Sequence, residues 1–282
     1  MVSPLQAKAA REGREIVDVT PARAGWTHVG FRALRLAAGE VEALDTGGRE
    51  LCVVVLAGHA DVTVDGVAHA GIGNRASVFD DAAPGAVYVP GGRQVRIQGH
   101  GDAPGGITEV ALCSAPAGST PRSPRVIDPA SMKRSVRGSG SNTRYICDIL
   151  PHDDPTAAPL LVVEVRTPAG HSSSYPPHKH DQDNLPAESY LEETYYHRLN
   201  PPQGFAFQRV YTDDRSLDEA CAVEDHDVVM VPRGYHPVVA PHGYDLYYLN
   251  VMAGPQRLWV FRNDPAHEWM LAPGALDRLS GR

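Results

Sequence analysis

AVYVPGGRQVRI at residues 86–97 and VVMVPRGYHPVV at residues 228–239 follow one pattern in the two halves of the chain. Each begins as an apolar, β-branched run, breaks at Val-Pro, turns on glycine and resumes as a second apolar run. Proline withholds a ladder donor and glycine accepts the backbone angles of a reversal, so each copy predicts strand, turn, strand. Other runs on either side have the same look: LCVVVLAG (51–58), DVTVDG (61–66), PLLVVEVRTPAG (159–170), TYYHRL (194–199), FAFQRVYT (205–212) and DLYYLNVMAG (245–254). Short strands with a recurring internal unit predict an all-β protein, a duplicated sandwich or barrel.

With 27 glycines and 24 prolines in 282 residues, few segments can sustain a helix. Minor helical pieces are predicted near Ser3–Arg14, Ser216–Ala222 and Gly274–Leu279. Between the halves, SAPAGSTPRSPR (114–125) is too rich in Pro, Ser and Gly to pack, and it predicts an N-terminal lobe over 1–120 and a C-terminal lobe over 121–282.

At 42% hydrophobic and 21% charged residues the chain can bury a globular core. Its 26 basic and 34 acidic residues form no like-charge run, which argues against nucleic acid or an anionic membrane surface as partner. No apolar stretch approaches the roughly 20 residues of a membrane span, and the opening residues lack the apolar region of a signal peptide. Cys52, Cys113, Cys147 and Cys221 are isolated, as reduced thiols are, without the paired spacing of a zinc ribbon. A cytoplasmic protein is expected. Sheet edges that can pair across a two-fold axis predict a homo-oligomer.

The 13 histidines are uneven: all but His28, His59, His69 and His100 follow residue 150. In an extended segment residues i and i+2 share a face, so His178 and His180 of PPHKH can aim at one point while Lys179 faces away. Imidazole suits first-row metals, and paired histidines on a strand chelate one; isolated surface histidines are the ordinary alternative. A carboxylate cluster follows at Glu188, Glu192 and Glu193. Alternation groups Glu193 with Tyr195 and His197, and Glu192 with Thr194 and Tyr196, so only one of the adjacent glutamates can join the histidines. His236, just past the Pro-Gly turn, is a plausible fourth ligand, with His226, His242 and His197 as competitors.

TPAGHSSSYPPHKHD (167–181), LEETYYHRLNPPQGFAFQRVYT (191–212) and DHDVVMVPRGYHPVVAPHGYDLYYLNVMAGP (225–255) together resemble the 5-deoxy-glucuronate isomerases of myo-inositol catabolism. These belong to the cupin superfamily and are related to the 4-deoxy-threo-5-hexosulose-uronate ketol-isomerases. The resemblance covers most of the C-terminal half. It implies a bicupin of two jelly-roll-like β-barrel lobes and a divalent metal (Zn, slightly preferred, or Mn or Fe) held by His178, His180, Glu193 and His236. The DQDNLPAESYLE insertion between HxH and the glutamate departs from the general cupin spacing and makes Glu193 the least secure ligand, ahead of Glu192 and Glu188. The N-terminal lobe fits a degenerate cupin: its turn reads PGGRQV, without histidine, and predicts a metal-free structural partner.

The implied reaction is an aldose–ketose isomerisation of a small sugar acid through an enediol. For the proton carrier, Lys179, Glu192, Tyr248 and a metal-bound hydroxide stand open. Arg209, which shares parity with Phe205, Phe207 and Tyr211, is the first choice for the substrate carboxylate if it faces a barrel interior, ahead of Arg144 and Arg233. Two other readings share the ligand set. A cupin dioxygenase would consume oxygen, and a non-catalytic sugar-binding cupin would exchange no substrate proton with solvent.

Overall fold

The computed structural model describes residues 2–272. Strands dominate; the helical elements among the described residues are one turn of α-helix at Pro21–Ala24 and three 3-10 segments, of which Pro265–Leu271 is the longest. None is long and apolar enough to cross a membrane.

In the first lobe one sheet runs Arg125–Ile127, Gly85–Val89, Arg49–Val64, Ile107–Pro116, Gly30–Ala37, Glu15–Val19. The two runs expected at 51–58 and 61–66 are a single strand that turns a corner. Its residues 49–57 pair with Ile107–Pro116, and 60–64 pair with Gln94–Gly99 on the opposite face of the lobe. Gly58 makes the corner at φ +79°, where a Cβ would come within 2.7 Å of Asp102 Oδ1.

The second lobe stacks a sheet ordered Gln6–Ala7, Val228–Val231, Glu192–Asn200, Asp245–Ala253, Leu161–Thr167, Arg144–Leu150, Lys133–Arg137 against a smaller one. The smaller runs Ser172–Ser173, Val238–Val239, Phe205–Tyr211, Asp218–Glu224. With one such unit in each half, the architecture is a bicupin.

Alternation along the central strands builds three cores from continuous apolar runs. Leu51, Val53 and Val55 point into the first lobe, while Cys52, Val54 and Leu56 point at the second. From the other side Ile149, Val162, Tyr196, Leu249 and Val251 meet them, with the Phe31 and Tyr196 rings 5.2 Å apart. Tyr195, Val163, Val165 and Tyr248 turn the other way, into the second barrel. Strands buried on both faces need apolar residues at every position, which is why LCVVVLA and LLVV read as unbroken runs.

Polar links tie the lobes. Arg75 bonds Glu164 through both nitrogens, at 3.0 and 2.8 Å, and Glu50 accepts the N–H groups of Ala158 and Leu160. Two short strands also cross the expected division at 120/121. Gln6–Ala7 pairs with Val228–Val229 of the second lobe, and Arg125–Ile127 pairs with Ala86–Tyr88 of the first.

Two expected helices are strands or loops. Within 3–14, Gln6 and Ala7 extend along the sheet edge, and Lys8 and the Ala9 N–H are held by Asp227. Over 216–222 the chain forms the Asp218–Glu224 strand, in which Cys221 and Val223 alternate inward. In both, edge pairing outweighs helix propensities of well under 1 kcal/mol per residue. The third, Gly274–Leu279, lies outside the described residues.

Candidate metal centre

Three segments deliver side chains to the mouth of the second barrel. His178–Lys179 is a two-residue strand against Arg262–Asn263, pinned by the Asp264 N–H donating to the Pro177 carbonyl at 2.8 Å. Glu193 enters from Glu192–Asn200, in register with Met252 on one side and Val231 on the other. His236 arrives from the turn after Val231. Gly234 takes φ +90° there, and a Cβ on it would strike the Tyr211 carbonyl at 2.5 Å, so this reversal requires glycine.

The ligating atoms of His178, His180 and His236 lie within 4.8 Å of one another. Glu193 Oε2 stands 3.0 Å from His180 Nε2 and 3.2 Å from His236 Nε2. The opposite ring nitrogens are engaged: His180 Nδ1 with the Leu191 carbonyl at 3.0 Å, His236 Nδ1 with that of Gly234 at 2.9 Å. A ring that gives its Nδ1 proton to a carbonyl presents a lone pair at Nε2, the tautomer assigned from these contacts being the metal-binding one. Two such lone pairs facing one carboxylate repel it unless a second proton or a cation lies between. His236 Nε2 is in fact buried without an aligned hydrogen bond. Three imidazoles and a carboxylate therefore fit a first-row divalent ion, the donor set that Zn, Mn and Fe accept.

Electrostatics hold His178 and Glu193 in their ligating forms, while His180 is drawn by Glu193 toward the protonated form, a proton that a bound cation would displace. Burial, then the neighbouring His236 and His180 rings, hold His178 well below the ordinary imidazole range, in its neutral, ligating form. Burial opposes ionisation of Glu193, but His180 and His236 outweigh it and bring the carboxyl down to about 2. Burial likewise opposes charge on His180, where the Glu193 contact prevails and raises it. Asn250 donates to the other oxygen of Glu193 at 2.6 Å and sets the carboxylate plane.

Beside the cluster opens a cavity of about 350 Å³, within the range of small-molecule sites. Its walls include His178, Glu193, Tyr195, Tyr248, Arg144 and Phe261, the last with its ring 4.7 Å from His178. Tyr248 Oη meets Ser173 Oγ at 2.5 Å, and burial raises its pKa. A larger cleft of about 640 Å³ runs past Arg134, Arg166 and Tyr145, but no histidine lines it.

Of the other residues singled out in the sequence, three lie elsewhere. Lys179 turns away from the histidines and is locked by Asp181 at 2.5 Å and Glu188 at 3.0 Å. Glu192 faces the first lobe, where it accepts the backbone N–H groups of Thr27, His28 and Val29. Arg209 is no barrel-interior residue: it sits on the exposed face of Phe205–Tyr211, in a two-bond ion pair with Asp218. Inward parity on that strand belongs to Ala206, Gln208 and Val210.

The competing histidines are also distinct. His197 is buried in the barrel with both ring nitrogens unpartnered, and burial brings it down to about 4. His226 bonds Tyr196 Oη at 2.5 Å, and His242 is exposed. Asn250, Ser173 and Phe261 were not singled out. For Asn250 a signal existed, since it is a lone amide at the parity of Tyr248 in an apolar strand.

A family model described as the KduI/IolB family matches residues 3–270. A 5-deoxy-glucuronate isomerase from Geobacillus kaustophilus (strain HTA426) is 50% identical over 260 residues, 92% of each chain. The crystal structure of an IolB-like protein from Salmonella typhimurium LT2 superposes with a TM-score of 0.90 at 46% identity, over 95% of this chain and 99% of that one. A deletion mutant of Bacillus subtilis oxalate decarboxylase gives a TM-score of 0.62 at 14% identity, over 100% of this chain and 85% of that one, a likeness of fold alone.

Proposed function

The chain belongs to the KduI/IolB family, and from that premise we propose that it is a 5-deoxy-glucuronate isomerase whose chemistry takes place at the His178, His180, Glu193 and His236 cluster. The observation that carries the reaction is near-full-length kinship, 50% identity across 92% of both chains, with an isomerase of that name.

The open-chain aldehyde at C1 and the hydroxyl at C2 exchange oxidation state as a proton leaves C2 and one is delivered to C1. The product is 5-dehydro-2-deoxy-D-gluconate. A divalent ion of the Zn, Mn or Fe group, when bound, supplies Lewis-acid stabilisation of the developing oxyanion, an effect of several kcal/mol. The chain's own residues do the rest. Leu191, Gly234 and Asn250 orient His180, His236 and Glu193. Phe261 and Trp259 wall the cavity with apolar surface.

Lys179 and Glu192 are occupied elsewhere, so of the proton carriers named from sequence Tyr248 is the one that reaches the cavity. Its raised pKa keeps the phenol protonated, so Tyr248 suits hydrogen-bond and proton donation to a substrate oxygen, typically worth about 10²–10⁴-fold, and a separate base must take the C2 proton. The four free cysteines are buried, in keeping with a cytoplasmic enzyme, and we expect a homo-oligomer.

The test is anaerobic incubation of the purified protein with 5-deoxy-D-glucuronate in D₂O. The expected result is oxygen-independent formation of the ketose, carrying solvent deuterium at the carbon that was C1. Turnover that requires oxygen would identify a dioxygenase, and binding without turnover a sugar-binding cupin.

A further inference from the structure

We infer that Arg144, with Arg137 beside it, seats the substrate's carboxylate at the end of the cavity away from the histidine cluster. The inference rests on the isomerase reading. Arg144 opens the strand Arg144–Leu150 and shares the inward parity of Ile146, so its side chain enters the second barrel. It lines the same cavity as His178, Glu193 and Tyr248.

What sets it apart is a guanidinium with neither a counter-charge nor a full set of acceptors. Arg49 and Arg257 also lack a carboxylate, but Arg257 is met by the carbonyls of Leu150, Pro151, His152, Asp154 and Leu160, and Arg49 by Ser114 and the His28 carbonyl. The two other arginines that reach most deeply into the molecule are each neutralised, Arg75 by Glu164 and Arg198 by Glu109 and Asp225. Arg144 donates only from Nη1, to the carbonyl and the side-chain oxygen of Asn142 at 3.1 and 3.0 Å, both neutral acceptors. No described carboxylate lies within ion-pair distance of it. Half-buried guanidinium without an anion is costly, and burial accordingly lowers its pKa.

A second cation aggravates this. Arg137 is the direct cross-strand partner of Arg144, lines the same cavity and has no ion pair among the described residues either. Like charges directly opposite one another destabilise a strand pair. A carboxylate placed between them relieves the repulsion and takes up the free fork of Arg144 bidentately.

The topology places these arginines at the right end. Strands Leu161–Thr167 and Asp245–Ala253 separate Arg144–Leu150 from Glu192–Asn200, three interstrand steps or roughly 14 Å between backbones. Arginine reaches in from one side and the cluster from the other. A six-carbon chain bridges the gap with C1 and C2 at the cluster and C6 at the arginines.

The experiment compares kcat/KM for 5-deoxy-D-glucuronate with that for the corresponding 5-deoxyaldohexose, whose C6 is a primary alcohol. The alcohol is scored as a competitive inhibitor if its turnover is too slow. Wild type is expected to favour the acid strongly. Arg144→Gln should lose about 10- to 100-fold on the acid, chiefly in KM, and under threefold on the alcohol, so that the preference collapses. Arg144→Lys should recover part of it, and Arg137→Gln should fall between.

Equal losses on both substrates, or an unchanged preference, in an Arg144→Gln protein with normal melting temperature and metal content would overturn the assignment. A wild-type protein that isomerises neither compound would instead remove the isomerase reading, and this inference with it.

Discussion

The two lobes make the same turn with opposite results. In the first, PGGRQV ends at the surface: Arg93 pairs with Asp65 in solvent and Gln94 is exposed. In the second, PRGYHP folds under Tyr211, and His236 is fully buried. The cores differ in kind as well. The first barrel is filled by Leu, Val, Ile and Ala. The second mixes such residues with Glu193, His180, His236, Asn250 and His197, all 5% exposed or less. Buried polar groups cost free energy unless each is served by a partner. A barrel that tolerates so many in its interior, beside a sister whose buried charges Glu50, Arg75 and Glu109 are turned to pair with the other lobe, marks where the scaffold gives up stability for chemistry.

The sharpest way to break that contrast is to remove one imidazole. His178→Ala should lose bound metal by elemental analysis and at least about 10³-fold in kcat, while circular dichroism stays native. A change in the first lobe's copy of the turn, Gln94→Ala at the position of His236, should leave both within about twofold. Metal retained in His178→Ala would move the centre elsewhere.

A smaller effect separates the cores by pH. His197 titrates near 4 in the folded protein against about 6.5 when unfolded. Between those values the unfolded chain binds the extra proton, so the stability tied to neutral His197 is complete above about 6.5. It is lost as pH falls toward 4, by up to about 3 kcal/mol. His197→Leu should therefore flatten the acid limb of the melting temperature between pH 7 and pH 4 without lowering it at pH 8. An unchanged limb would assign acid sensitivity to other groups.

The least effect is expected at Arg209. Its exposed pair with Asp218 belongs to the outer face, so Arg209→Ala should change stability by under about 1 kcal/mol and KM by less than twofold. A large rise in KM would return the carboxylate site to this strand and count against Arg144.

Alternation is local: it follows from how successive Cβ atoms leave an extended backbone. That is why the residues alone sufficed to predict strands along both halves, the echo between the two turns, and the grouping of Glu193 with Tyr195 apart from Glu192. Helix propensity is local too, but weak. At Gln6–Ala7 it lost to pairing with Val228–Val229 near the other end of the chain, and at Asp218–Glu224 to the hairpin with Phe205–Tyr211.

Tertiary structure alone decided where long polar side chains end. Lys179 found Glu188, Glu192 found the backbone of Thr27 to Val29, Arg209 found Asp218, and Arg144 found no carboxylate among the described residues. Lys179 and Arg209 were settled by the geometry of local reversals nine residues across, and Glu192 by the packing of one lobe against the other. Neither leaves a periodic trace in the chain itself.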